Sequence, residues 1–407
     1  MSLASLKRKD LFQQHGLIGD KWVSSSGGGT FTNGKTLAEA NGEVVYAASF
    51  LEWFAGEAER VHGEVVPASN ANQRILTVKQ PLGVAACLAP RNFPIAMITR
   101  KVMAALAAGC TTVWKPAGET PLSALAQAVL AKEAGFPSGT INVITTLNNV
   151  AEPEQHYAIP SLCGSSALRA RHASASSWQA SAVKILPSYL WNSAETACLL
   201  FSDDAKVDTA VEACILAKFR NSGQTCATAN RIFVREGIYG RFSAALVEKV
   251  KALKVGNGVE EGVFIGPLTH ELEKAHIKDA QEKGASLVLG GSPCQPNNLQ
   301  GYFVEPTVLG KMSTQALTTR EKVFAPVVAL YPFKTEEEVL AKAKDCDVGL
   351  GSYVITESMP RMLRVAENLE VGMVGINMGT LSAAESPFGG GIEEYMTVKS
   401  ILMNVAA

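Results

Sequence analysis

Apolar positions along the chain alternate between two periods, and the order of those periods predicts the architecture. Residues 1 to 36 are polar and glycine-rich and read as a loose lead-in. A helix rich in Ala and Glu is predicted from Thr36 to Val61, followed by strand-like alternation over 62 to 82 (Val65, Ile75, Thr77, Val78) that suits a hairpin. Val84 to Leu88 is a short apolar strand. Ile95, Ile98, Val102 and Ala105 then recur at helical spacing, with Gly109 where a helix stops. Thr111 to Trp114 is a second strand. Thr120 and Pro121 mark the N-cap and first position of a helix carrying Leu122, Leu125 and Val129, with Gly135 as its stop, and Ile141 to Ile144 is a third strand. A β-α-β-α-β order needs crossovers, hence a parallel sheet covered by helices, with ligands at the carboxyl ends of its strands. Periodicity fades over 146 to 195, where no element is assigned. It returns with a helix carrying Val207, Val211 and Ile215, capped by Asp203 or Asp204. A strand at Ile232 to Val234 and a helical stripe at Ile238, Phe242, Leu246 and Val250 follow. Thr335 and Glu338 form a capping box for a helix through Lys344, and Val371 to Ile376 is a late strand.

Composition narrows the class. The 407 residues are 47% hydrophobic and 18% charged, enough for roughly two to three domains. Lys and Arg number 37 against 38 Asp and Glu, so no global field steers the chain onto nucleic acid or an anionic membrane. No run approaches the roughly 20 apolar residues of a membrane helix. The N-terminus lacks the apolar core of a secretory signal, and eight scattered cysteines form no CxxC pair, which suggests a reducing, cytoplasmic location. The six histidines are isolated, so no metal site is expected, and the P-loop, GxGxxG, HExxH and GxSxG patterns are absent.

Two segments fall outside the core pattern. Phe219-Arg-Asn-Ser-Gly-Gln-Thr-Cys226 sets a thiol among small polar residues, whereas an ordinary cysteine packs as a small apolar side chain. Pro90-Arg-Asn-Phe-Pro94 holds an amide between prolines at a strand end, where ligands of parallel sheets bind. With Leu37-Ala-Glu-Ala-Asn-Gly-Glu-Val44, Asn92-Phe-Pro-Ile-Ala-Met-Ile-Thr-Arg-Lys101, Lys115-Pro-Ala117, Gly266-Pro-Leu268, Phe303-Val-Glu-Pro-Thr307 and Ser386-Pro-Phe-Gly-Gly390, these stretches resemble the aldehyde dehydrogenase superfamily, and within it the succinate-semialdehyde dehydrogenases.

The resemblance implies an α/β fold with a Rossmann-type cofactor domain (1–61 and 83–195), an α/β catalytic domain (196–390) and oligomerisation elements (62–82 and 391–407). It implies oxidation of a small aldehyde with NAD or NADP. Cys226 would be the nucleophile, and the Asn92 amide and the Cys226 backbone N–H would bind the oxyanion. Lys115, Gly164, Ser165 and Phe324 would meet the cofactor. Arg100, Arg220 and Ser382 would hold a distal carboxylate, which two planar guanidiniums suit. A homo-oligomer, dimer or tetramer, is implied as well.

The chain also departs from that pattern. Tyr189 falls where the family has its general-base glutamate, and Glu195 has the wrong spacing to replace it. Gly118 stands for a ribose-binding glutamate, which removes a like charge facing a 2′-phosphate and leaves NAD and NADP both open. Lys322 replaces the glutamate before Phe324, Ala325 replaces the following glycine, and the phosphate-side run is reduced to Leu162-Cys-Gly-Ser-Ser166. Thr32-Asn-Gly-Lys35 bypasses early helices of the cofactor domain. A Gly-rich segment is lost after Gly390, which weakens the case for an oligomer. Thr228 excludes a redox disulfide two residues after Cys226. The alternative expectation is therefore an impaired relative with a binding or structural role.

Overall fold

The computed structural model describes residues 8, 11, 16–18, 21–23, 34–145, 165–167, 197–271, 275–346, 349–386 and 391–405. Its first elements are β1 (Gly16–Ile18), β2 (Lys21–Val23), α1 (Leu37–Ala58), β3 (Val65–Val66), β4 (Gln73–Pro81), β5 (Val84–Leu88), α2 (Ala96–Ala107), β6 (Thr111–Lys115), α3 (Leu122–Glu133), β7 (Ile141–Val143) and β8 (Ser165–Ala167). They are followed by β9 (Ala197–Phe201), α4 (Val207–Phe219), β10 (Ala229–Arg235), α5 (Glu236–Lys251), β11 (Lys254–Val255), β12 (Val263–Ile265), α6 (Ala275–Glu282) and β13 (Ser286–Leu289). The last are β14 (Thr307–Gly310), α7 (Leu317–Arg320), β15 (Val327–Phe333), α8 (Glu336–Lys344), β16 (Gly351–Ile355), α9 (Met359–Asn368), β17 (Met373–Ile376) and β18 (Met396–Asn404). The chain divides into two compact units: Met1–Phe31 with Gly42–Trp191 and Ala383–Ala407, and Thr32–Asn41 with Asn192–Ser382.

The first unit holds a six-stranded sheet in the order β2-β1-β7-β6-β5-β8. Strands β5 to β8 run parallel, as the predicted crossovers require. Ile98, Val102, Trp114, Leu125 and Val143 are buried together, where α2 and α3 cover the sheet. Gly109 takes a positive φ of 87° directly after the α2 cap, a conformation that costs glycine little. A separate antiparallel sheet, β18-β4-β3, pairs Met396 to Asn404 with Pro81 to Gln73 over nine residues. The hairpin expected over 62–82 is its β3–β4 pair.

The second unit holds a seven-stranded sheet, β13-β14-β15-β10-β9-β16-β17. All its pairs are parallel except β13–β14. Both faces are buried: Leu199, Phe201, Ile232 and Val234 point into one core, and Cys198, Leu200 and Phe233 into the other. A strand packed on both faces loses its polar alternation, and all five residues of β9 are buried. Ile238, Phe242, Leu246 and Val250 are the buried face of α5, as their spacing predicts. No helix among the described residues is long and apolar enough to cross a membrane.

Three local expectations are corrected. The lead-in contains the hairpin β1–β2, which adds antiparallel strands to β7; strands of three residues are too short to show a period. Asp203 and Asp204 do not cap α4, whose N-cap is Lys206 without a side-chain bond. Asp203 instead pairs with Arg235 at 2.8 Å, and Asp204 accepts from Arg361 at 2.7 Å and from the Thr356 hydroxyl at 2.8 Å. Tertiary partners outcompete the local cap. α3 starts one residue later than expected, with Pro121 at the cap position. The Thr335 cap is present, its hydroxyl accepting from the Glu338 N–H at 3.2 Å.

Candidate active site

In the second unit, the segment bearing Cys226 leaves α4 through a tight turn of irregular backbone. Asn221, Ser222 and Gly223 have φ of 52°, 55° and 76°. Left-handed conformations cost a non-glycine residue about 1–2 kcal/mol each, so two in succession persist only if the surroundings hold them. The surroundings do. The Asn221 N–H donates to the Glu39 carboxylate, and the Asn221 amide donates to the Gln224 carbonyl at 3.1 Å. The Ser222 hydroxyl donates to the Gly266 carbonyl at 3.1 Å and accepts the Gly266 N–H at 3.0 Å. Gln224 Oε1 accepts both the N–H and the hydroxyl of Thr269 at 3.2 Å. A Cβ on Gly223 would lie 2.2 Å from the Ala325 carbonyl oxygen, so only glycine fits there.

Cys226 follows, half-buried, in a turn closed by the Thr228 N–H on the Thr225 carbonyl at 3.1 Å. Its own carbonyl accepts from Lys322 Nζ at 2.5 Å, and the Ala227 carbonyl accepts from the Tyr353 hydroxyl at 2.8 Å. Burial, with Cys226 beside it, pushes the Tyr353 phenol up, so it stays a donor. Arg220 Nη1 lies 3.4 Å from Ser382 Oγ, which brings two of the three predicted substrate side chains together. Phe324 is half-buried, 5.5 Å from Lys322 Nζ. Beneath the turn, the fully buried Lys218 donates to Asn230 Oδ1 at 3.0 Å and to the Val323 carbonyl at 3.3 Å. Desolvation, then the Lys322 charge, lowers its pKa to about 7.

Cys294 and Cys346 are half-buried like Cys226, and the other described thiols are not. Cys87, Cys110, Cys198 and Cys214 are buried. Desolvation raises Cys198 and lifts Cys214 to about 12, which keeps both protonated.

In the first unit, Asn92 is buried in the loop leaving β5. The next helix starts against a buried carboxylate: Glu43 accepts the N–H groups of Ile95 at 2.8 Å and Ala96 at 3.1 Å, neutralising two unpaired donors at the α2 N-terminus. Arg100, on α2, is buried over the Phe50 ring at 4.6 Å. It donates to the Tyr46 hydroxyl at 3.1 Å and to the carbonyls of Ala383 at 2.9 Å and Ser386 at 3.1 Å. Lys115 ends β6 at the carboxyl edge of the parallel strands and is 6% exposed. Ser165 opens β8 in register with Ala85, back from the carboxyl end of β5 at Leu88. Gly164, Tyr189 and Glu195 lie outside the described residues.

Sequence reasoning missed Glu39, Glu43 and Tyr353. Glu39 and Glu43 sit four apart in the stretch Leu37 to Val44, so they project from one face of α1. That spacing is the signal that marks them as a pair.

The model of the aldehyde dehydrogenase family matches residues 29–393. The chain belongs to that family. Family membership makes it an oxidoreductase acting on aldehydes. A mitochondrial succinate-semialdehyde dehydrogenase of Oryza sativa subsp. japonica is 44% identical over 397 residues, covering 92% of this chain and 73% of the relative. The Escherichia coli K12 succinate-semialdehyde dehydrogenase [NADP(+)] GabD is 41% identical over 391 residues, covering 91% and 79%. The crystal structure of succinate-semialdehyde dehydrogenase from Burkholderia pseudomallei superposes with a TM-score of 0.92 at 34% identity, over 98% of this chain and all of that one. The observed parallel α/β architecture is therefore the family's.

A dinucleotide fits this family member unevenly. Lys115 supplies a cation at the carboxyl edge of a parallel sheet, where such ligands bind. Lys322 supplies a donor, not a carboxylate, beside Phe324, and its ammonium is engaged with the Cys226 carbonyl.

Proposed function

We propose that this chain oxidises a short semialdehyde with a distal carboxylate to the corresponding acid, through a thioester on Cys226. The turn carrying Cys226 supports this reading most directly. Its backbone is pinned along its length while the thiol stays half-exposed, as a nucleophile requires. The thiolate adds to the aldehyde carbon, and the oxyanion takes hydrogen bonds from the Asn92 amide and the Cys226 N–H. Lys115 and Phe324 would hold NAD or NADP, which would supply the hydride acceptor. Water then releases the acid. Arg220 with Ser382, and Arg100, bind the carboxylate. In this reading the six-stranded unit serves the cofactor and the seven-stranded unit the chemistry. The sheet β18-β4-β3, with Val398, Ile401 and Leu402 exposed, serves assembly of a homo-oligomer.

Purified chain with succinate semialdehyde, assayed with NAD and NADP in parallel, is expected to form reduced cofactor, and Cys226→Ala to form none. No reduced cofactor across several aldehydes refutes the reading. Tyr189, in the place of the family's general-base glutamate, favours a second one: a chain that acylates Cys226 and stalls there. Intact-protein mass spectrometry separates the two, because a stalled chain retains the acyl mass.

A further inference from the structure

The segment from Lys322 to Pro326 touches the nucleophile's turn at two points three residues apart. Val323 and Ala325 are buried at 5% and 1%, while Lys322 and Phe324 are half-buried, so alternation sends Lys322 and Phe324 to the other side. From there Lys322 Nζ reaches the Cys226 carbonyl at 2.5 Å, and the Ala325 carbonyl abuts Gly223. The other fixed points are Glu39 on the Asn221 N–H and Tyr353 on the Ala227 carbonyl. Lys322 is the one among these that grips the peptide of Cys226 itself and brings a charge.

The alternative partners of that ammonium point the same way. Glu321, the adjacent carboxylate, is turned onto His276 Nε2 at 2.8 Å. Lys218, the neighbouring cation, bonds to Asn230 and to the carbonyl of Val323, the residue after Lys322. With its pKa near 7, Lys218 sheds charge around neutrality, which relieves repulsion against Lys322.

We propose that Lys322 is a positioning residue for the nucleophile, fixing the Cys226 peptide through a charge-assisted hydrogen bond. This rests on the reading of Cys226 as the nucleophile. A bond of this kind is short and directional, and it sets the backbone angle from which the Cys226 side chain projects.

The test uses the full chain with Lys322→Met, Lys322→Gln and Lys322→Arg, beside Cys226→Ser. Two quantities are read: steady-state kcat and KM for succinate semialdehyde, and the iodoacetamide alkylation rate of the Cys226 peptide by mass spectrometry. Lys322→Met is expected to lower kcat by about 10- to 10²-fold, the cost of a misplaced reacting group, with KM within about twofold of wild type. It is also expected to slow alkylation, and Lys322→Arg to restore most of both. Wild-type kcat and alkylation in Lys322→Met overturn the proposal, as does an Arg variant that rescues neither. If Lys322→Met does not fold, the decision passes to the other pair: Lys322→Gln must fall below Lys322→Arg in both readouts. Turnover retained by Cys226→Ser would overturn the nucleophile reading itself. An inactive Cys226→Ser beside an unaffected Lys322→Met would overturn the role of Lys322 alone. An inactive wild type leaves the alkylation comparison to decide.

Discussion

The turn bearing Cys226 and the strand end bearing Lys115 present their side chains by opposite means. The turn is irregular. Three consecutive residues have positive φ, and hydrogen bonds to Glu39 and from Gly266, Thr269, Lys322 and Tyr353 hold it. The strand end is regular. Lys115 is the last rung of a parallel ladder with Leu88, and the Leu88 carbonyl is held by the buried Lys101 ammonium. An irregular turn tolerates few residue types, because each must satisfy both a backbone angle and a partner. A strand end inherits its geometry from the sheet, so the residues beyond it are freer to change. By the resemblance, Gly118, three residues past Lys115, is a departure, whereas Lys218 to Cys226 is a matching stretch.

Substitution at Gly223 should break the comparison most severely. Gly223→Ala adds a Cβ 2.2 Å from the Ala325 carbonyl oxygen, at a φ of 76°. The left-handed angle alone costs about 1–2 kcal/mol, and the clash moves backbone next to Cys226. Turnover should fall by about 10²-fold or more, with a lower melting temperature. A variant that melts and turns over like wild type would show that the turn is slack. Next comes the regular side. Asn92→Ala should reduce kcat by about 10²–10³-fold, the cost of one oxyanion donor, while the melting temperature changes little. A change confined to KM would remove Asn92 from the oxyanion site. Glu43→Ala is smaller. It leaves the N–H groups of Ile95 and Ala96 without their acceptor in a buried place, which should cost about 1–3 kcal/mol in denaturant unfolding. An unchanged unfolding midpoint would mean that the helix end finds another acceptor.

Much of this was legible beforehand, and the failures have a common cause. The β5-α2-β6-α3 run was readable because each element is long enough to show its period and is followed within two residues by a glycine or a proline. Motif resemblance singled out Cys226, Asn92, Arg220 and Ser382 as candidates, and the structure places Arg220 beside Ser382. The scaffolding was not legible. Glu39, Glu43, Tyr353 and Lys322 all act on main-chain N–H or C=O groups, and every residue offers those, so a pattern such as the Glu39–Glu43 spacing marks a side chain but never its backbone partner. Asp203 and Asp204 failed the other way: their local capping signal was real, but distant arginines took the carboxylates.

The smallest effect is a slope rather than a loss. Lys218 is fully buried, with a folded pKa of about 7 against the ordinary lysine value of 10.5. Cys214 on its own helix, Lys322, the Asn230 amide and the Val323 carbonyl face it, and none of the four is an anion at neutral pH. Between pH 7 and 10.5 the unfolded chain therefore binds a proton that the folded chain does not. Unfolding free energy must rise with pH across that window, by up to about 1.4 kcal/mol per unit from this one group. Below pH 7 both states hold the proton, and the buried charge weighs constantly against the fold. Lys218→Met removes the titration but leaves two buried acceptors without a donor, so its absolute stability can move either way. The slope cannot: wild type must gain on Lys218→Met as pH rises from 7 to 9. Parallel curves in urea titrations at three pH values would mean that Lys218 stays charged beneath the turn, with Lys322 held against a like charge.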